Sequence, residues 1–409
     1  MKNVIIFCLI IIFGCNGPED VDPKSRSTFF KVIGTSLNST GYKTIEVFDG
    51  YVTVSTAISD TTEYSYLTKT DKDGNVLWNQ IYPDTNGLDV IALNDGYIVV
   101  GDSINSQGVG DNATKILLFQ VDGNGNVVNS TTLGDPSATP RDYHGVSLAK
   151  NSTDEIVVLG TRENEFDQDE MIVAGFNNSL IEQWQEVFTL NNENYRVGSN
   201  IHYDQLGQII WVASSITYNA EDNSIIDKSS ISVPVTLSNS ENINNDTYGD
   251  NIAGTYIAND IMPVAGGYGI VGRTDVGGSN DIFYLKTNTL GFIDENSFKL
   301  ISTSISGISF NGSDAGTSLI GTSNGTTVIM GTISTTTQIG NGGTDIYLLN
   351  VDYNGNVLWE SIIGGSGNES GQSIIETSDG GFLITGTNDF QGSAVTVLIK
   401  TNKQGRLIE

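Results

Sequence analysis

The stretch that decides the fold runs from Asp345 to Thr387, DIYLLNVDYNGNVLWESIIGGSGNESGQSIIETSDGGFLITGT. It opens on an apolar run, turns at Asp352-Tyr353-Asn354-Gly355-Asn356, and resumes as a second apolar run ending in Trp359. A glycine-rich loop, a third run at Ser373 to Thr377 and a glycine pair leading into Phe382 to Thr387 complete it. Asp and Asn tolerate left-handed backbone and Gly supplies it freely, which tight hairpins require. Four strand-like runs joined by such turns make one small antiparallel sheet.

Degraded copies of this unit fill the chain from Thr28 onward. The small residue near the end of each second strand marks the register: Ser55, Gly101, Gly160, Ser214, Gly272, Gly331 and Gly386. Successive markers are 46, 59, 54, 58, 59 and 55 residues apart. A period of that size with four β runs per unit means a propeller or β array and excludes an α-solenoid. The fourth unit is the weak copy, because Pro234 falls inside its third strand and removes a ladder donor.

The two ends complement each other. Gly405-Arg406-Leu407-Ile408-Glu409 matches Gly355-Asn356-Val357-Leu358-Trp359, and Phe29 to Gly34 lines up with Trp359 to Gly364 as the missing half of that strand. An unclosed array would leave two bare sheet edges. The expectation is therefore an all-β fold, a seven-bladed β-propeller of four-stranded antiparallel blades, closed by the N-terminal segment completing the last blade. It would occupy 28–409.

The pattern G-G-[YF]-x-[IV]-x-G-T, then D-I-x-L-x-K-x-D-x-x-G-N-x-x-W-x-x-x-x-G-G, is similar to the β-propeller repeats of secreted and lipid-anchored bacterial proteins. It is strongest in units two, five, six and seven. The resemblance implies a propeller and an envelope location, and no one activity. WD and kelch signatures fit poorly, since no Trp is followed by Asp and the glycine pairs precede their strand.

Residues 1–14, MKNVIIFCLIIIFG, have Lys2 at the start and an apolar core from Val4 to Phe13. That core is shorter than the roughly 20 residues a spanning helix needs and matches a signal peptide. Ile12-Phe13-Gly14-Cys15 resembles a bacterial lipobox, with Phe13 bulkier than the slot usually holds. The resemblance implies lipid attachment at Cys15 through about three acyl chains, which anchor firmly. Asn16 is not the aspartate that retains lipoproteins at the inner membrane, and Glu19 and Asp20 resemble an acidic export tether. The expected address is the outer membrane, lipid-anchored, with the cell surface as the further expectation. Residues 15–27, with Pro18 and Pro23, read as a lipidated flexible tether.

Cys8 would leave with the signal and Cys15 carry lipid, so no thiol is left for a disulfide, a zinc site or a nucleophile. The chain holds 19 Lys+Arg against 48 Asp+Glu, a net charge of −29. Such a surface repels phosphate backbones, so no nucleic-acid partner is expected.

Trp78, Trp184 and Trp359 recur at one place on the fourth strand and read as packing between blades, as does Trp211 on a second strand. The Asp/Asn turns lack the spacing of an EF-hand, whose glycine is sixth and bidentate Glu twelfth; they read as turn chemistry. Gly321-Thr322-Ser323-Asn324-Gly325 matches G-x-S-x-G, yet it joins two strands with no histidine after it, so it reads as a hairpin. His144 and His202 cannot by themselves hold a metal. No catalytic residue and no cofactor are expected; calcium is the one ion considered.

One constellation remains. A small or acidic polar residue lies near the start of each first strand: Thr44, Asp89, Ser147, Asn200, Asp260, Ser318 and Ser373. First strands line the axial channel of a propeller, so these seven would form a polar ring at one mouth, holding a cation or small polar ligand. The expected function is a non-enzymatic binding or interaction module for a glycan or an envelope protein. The alternatives are a propeller enzyme, either a glycan hydrolase or lyase using channel carboxylates or a quinone-dependent dehydrogenase, and a structural component of an envelope assembly.

Overall fold

The computed structural model describes residues 28–34, 38–59, 62–104, 113–134, 141–165, 169–188, 196–203, 207–218, 225–236, 242–249, 254–276, 278–302, 314–334, 343–365, 367–390 and 392–407. The segments expected as signal peptide and tether, with Cys15, lie outside them. Every regular element among the described residues is a strand.

After β1 (Phe29–Val32), strands β2 (Ser39–Val47), β3 (Gly50–Ser59), β4 (Thr62–Thr70) and β5 (Val76–Pro83) form one antiparallel sheet. A second holds β6 (Thr85–Leu93), β7 (Gly96–Ser103), β8 (Lys115–Val121) and β9 (Val127–Leu133). A third holds β10 (Tyr143–Lys150), β11 (Ile156–Glu163), β12 (Asp169–Phe176) and β13 (Glu182–Phe188). Next come β14 (Arg196–Tyr203), β15 (Ile209–Tyr218), β16 (Ile225–Thr236) and β17 (Asn242–Tyr248). They share one eight-stranded sheet with β18 (Gly254–Val264), β19 (Gly267–Thr274), β20 (Asp281–Thr287) and β21 (Ile293–Leu300). A further sheet comprises β22 (Ala315–Gly321), β23 (Thr327–Ser334), β24 (Thr344–Val351) and β25 (Val357–Ile363). The last comprises β26 (Asn368–Glu376), β27 (Phe382–Phe390) and β28 (Ser393–Thr401), with β1 as its outer strand.

The seven separate blades expected from the sequence are thus corrected: the strands fall into six hydrogen-bonded sheets, five of four strands and one of eight. The cause is the length of β16. Its outer partner β17 covers only Ile231 to Thr236, leaving Lys228 and Ser229 with an open edge. The start of β18 takes that edge in parallel, Lys228 opposite Gly254 and Ser229 opposite Thr255. An uncovered edge recruits a strand. Pro234 does pair with β17, opposite Asn245, while the ladder to β15 is interrupted between Ser232 and Val235, consistent with its missing N–H.

The sheets stand round an axis as a β-propeller. Each inner strand touches the next: β2 to β6, β6 to β10, β10 to β14, β14 to β18, β18 to β22, β22 to β26, and β26 back to β2. Apolar side chains fill the space between consecutive units, as where Val52, Val54 and Leu67 meet Val90, Val99 and Phe119. Closure is made by β1 on β28, Phe29 opposite Lys400 through Val32 opposite Val397. Ile33, 2 % exposed, plugs the seam beside Tyr51, Leu383 and Leu398. Glu46 adds a clasp by accepting the N–H and hydroxyl of Ser378, each at 2.8 Å.

The sequence's punctuation has a steric cause. A Cβ on Gly96, where φ is +144°, would lie 2.0 Å from the carbonyl oxygen of Val121. Only glycine lets the second strand start against the end of the third. The Trp residues pack as read: Trp78 against Tyr97 at 6.4 Å, Trp359 against Phe382 at 5.7 Å, and Trp211 fully buried against Phe188 at 5.0 Å.

Candidate functional site

Along each inner strand the pairing slips by a residue or two. The slips fall between Gly41 and Lys43, Gly87 and Asp89, Gly145 and Ser147, Gly198 and Ile201, Ala258 and Asp260, Gly316 and Ser318, and Gly371 and Ser373. Such bulges re-aim the side chains around them. A small residue precedes each because the strand there closes on its neighbour: a Cβ on Gly316 would lie 2.2 Å from Val271, and one on Gly371 2.5 Å from Met330. Two successive side chains per bulge reach the axis, and together they line a cavity of about 550 Å³. That size is within the range of small-molecule sites.

Asp89, Ser147, Asn200, Asp260, Ser318 and Ser373 all line this cavity, and Thr44 does not. Thr44 is turned between sheets, its hydroxyl bonded to Thr53 at 2.7 Å and accepting from Thr385. Lys43 stands in its place on the axis. The ring also sits midway along the inner strands, where the bulges are, and not near their starts. Size and polarity alone point to Thr44 and pass over Lys43; the signal that finds it is the glycine two positions earlier, at Gly41 as at Gly87, Gly145, Gly316 and Gly371.

The two carboxylates are clasps between units. Asp89 Oδ2 accepts the hydroxyl of Ser147 (2.7 Å) and the N–H of Leu148 (3.1 Å), and Oδ1 accepts its neighbour Val90 (2.7 Å). Asp260 repeats the motif: Oδ2 accepts the hydroxyl of Ser318 (2.8 Å) and the N–H of Leu319 (3.0 Å), and Oδ1 accepts Asn200 Nδ2 (2.6 Å). Ser147 Oγ also lies 2.8 Å from Asn200 Oδ1. A belt therefore runs from Asp89 through Ser147, Asn200 and Asp260 to Ser318. Both carboxylates, 5 % and 4 % exposed, are occupied by protein donors, and groups so engaged are poorly placed to exchange protons with a substrate. The Lys43 ammonium and the hydroxyl and amide side chains are the other polar groups that line the cavity.

The remaining candidates have structural explanations. Asp352 Oδ1 accepts the N–H groups of Asn354 (2.9 Å) and Asn356 (2.8 Å), and Asp71 and Asp122 do the same within their own turns. The Asn126 side chain, then the turn's N–H groups, hold the Asp122 carboxyl below the usual range. Ser323 donates its N–H and hydroxyl to Glu376 across the sheet boundary, in a tight turn between β22 and β23. His144 is half-exposed with Nδ1 3.1 Å from Asp102 Oδ2, and that contact raises its pKa. His202 is largely buried, which pushes its imidazole down to about 4. Among the described residues no three His, Cys, Asp or Glu side chains are grouped to hold a metal. A second recess, about 270 Å³, is lined by Arg141, Tyr143 and Arg162 with Glu163, Glu165 and Glu170; there Arg162 Nη2 pairs with Glu170 at 2.9 Å.

No protein-family model and no curated protein matches the sequence. Solved structures similar in shape include Trypanosoma rangeli sialidase in complex with sialic acid, at 9 % identity and a TM-score of 0.48, covering 88 % of this chain and 58 % of that one. The Hadza microbial sialidase Hz136 is 8 % identical with a TM-score of 0.46, over 83 % and 73 % of the two chains. A subtype N10 neuraminidase-like protein of A/little yellow-shouldered bat/Guatemala/060/2010 is 10 % identical with a TM-score of 0.41, over 91 % and 98 %. The chain thus spans a little over half the length of the trypanosomal sialidase. At these values the likeness assigns no activity.

Proposed function

We propose that this chain is a glycan-directed propeller whose axial cavity takes one small polyhydroxylated molecule. The observation that carries the reading is the cavity itself: about 550 Å³ on the axis, edged by hydroxyl and amide side chains together with Lys43, Leu88 and Val146, with both carboxylates already satisfied by protein donors. Neutral hydroxyl and amide groups match the alternating donors and acceptors of a sugar. We further propose that acyl chains on Cys15 tether the propeller to the outer membrane, with the lipobox-like Ile12-Phe13-Gly14-Cys15 as support.

Saturation-transfer NMR with neutral monosaccharides tests the cavity. Transfer to at least one sugar is expected for the wild type and its loss for Leu88→Trp, which fills the cavity from one bulge. Equal transfer in both proteins would place binding elsewhere. Protease treatment of intact and opened cells tests the location.

A second reading, a glycan hydrolase, has one observation in its favour: Asp89 and Asp260 border the same cavity, and two carboxylates flanking one sugar are what hydrolysis uses. Turnover of aryl glycosides by the wild type, lost in Asp89→Asn with the fold intact, would put hydrolysis in place of recognition.

A further inference from the structure

The polar groups round the cavity are unevenly committed. Ser199 donates to the carbonyl of Ala258 (2.6 Å) and Asn259 to that of Gly316 (2.7 Å), so these bulge side chains are used between units. The belt uses Ser147, Asn200 and Ser318 in the same way. Beyond Ser318 the pattern stops. Among the described residues, neither Gln372 nor Ser373, both lining the cavity, makes a side-chain hydrogen bond. Lys43 Nζ approaches only Asp89 Oδ1, at 3.9 Å, outside hydrogen-bonding range. Its side chain is 26 % exposed and borders the cavity. Since β2 and β26 are neighbours at the axis, the unused groups lie on one continuous arc.

That arc is rich in donors. Lys43 offers three and accepts none, while Asp89, the carboxylate beside it, is engaged with Val90, Ser147 and Leu148. An ammonium with unused donors in a recess selects a charged acceptor, because charge-assisted bonds are about twice as strong as neutral ones. We propose that the ligand is a sugar acid, and that Lys43 binds its carboxylate with Ser373 and Gln372 beside it. The inference rests on the reading of the cavity given above. The chain's net charge of −29 slows the approach of such an anion, while contact with Lys43 sets which molecule stays.

The test is calorimetry on the full chain with sugars differing only in the carboxylate: glucose against glucuronate, and galactose against galacturonate. At least one acid is expected to bind about ten-fold or more tighter than its neutral partner. Lys43→Met is expected to bring the two within about three-fold. Equal binding of acid and neutral sugar by the wild type would overturn this inference alone, as would a preference that survives in Lys43→Met. If none of the sugars binds, the cavity reading falls and this inference with it.

Discussion

Replacing Asp260 with alanine removes the acceptor of three donors at once: Asn200 Nδ2, the Ser318 hydroxyl and the main-chain N–H of Leu319. A hydrogen bond to a charged group contributes about 1.5–3 kcal/mol, and a buried donor left unpaired costs about 1–3 kcal/mol. Water in the cavity can reach the side chains of Asn200 and Ser318, which line it. It cannot easily reach Leu319, whose side chain is fully buried. The net loss is therefore about 3–5 kcal/mol, from two side-chain bonds to a charged group and one buried N–H left unpaired. Urea unfolding followed by tryptophan fluorescence reads it, since Trp78, Trp184, Trp211 and Trp359 sit in four different sheets. With a slope of about 3 kcal/mol/M, the midpoint should fall by about 1–1.7 M. Asp89→Ala should behave alike, and exposed Asp73→Ala should move little. An Asp260→Ala midpoint within about 0.2 M of wild type would refute the view that the axial carboxylates tie the units together.

Three further outcomes are expected. Ile33→Ala opens a hole in the seam between Tyr51, Leu383 and Leu398 and should cost about 2–4 kcal/mol in the same assay; a neutral result would mean the closing contacts are not stability-determining. Gly96→Ala must place a methyl 2.0 Å from the Val121 carbonyl at positive φ and should cost about 3 kcal/mol, seen as a lower melting temperature. His202, its pKa depressed to about 4 by burial, contributes nothing above the unfolded value of about 6.5. As pH falls from there the unfolded chain takes up the proton first, so stability drops by roughly 3 kcal/mol by pH 4 and then levels. His202→Gln should lack that part of the acid slope, and an unchanged slope would contradict the assignment.

What could be read from the sequence was local. The Asp71, Asp122 and Asp352 turns carry their own hydrogen-bond chemistry within five residues, and Gly96 answers a clash that recurs at Gly50, Gly267 and Gly381. What could not be read depends on distant partners. The merging of two units follows from how far β17 fails to cover β16, which no local pattern in 225–255 reports. Six residues of the polar ring are legible as a repeated polar position, but the use of five of them as clasps depends on partners 53 to 60 residues away, as with Ser147 and Asn200 or Asn200 and Asp260. Thr44 and Lys43 show the difference between residue type and position: the bulge counts from Gly41, and that register selects the lysine.

The most direct test of the axial cavity as a ligand site is a crystal structure of the protein soaked with the tightest-binding sugar acid. The account predicts density for one molecule on the axis, with its carboxylate within about 3 Å of Lys43 Nζ and its hydroxyl groups toward Ser373 and Gln372. Density confined to the Arg141–Arg162 recess or the outer strands, with the axis holding only water, would contradict it.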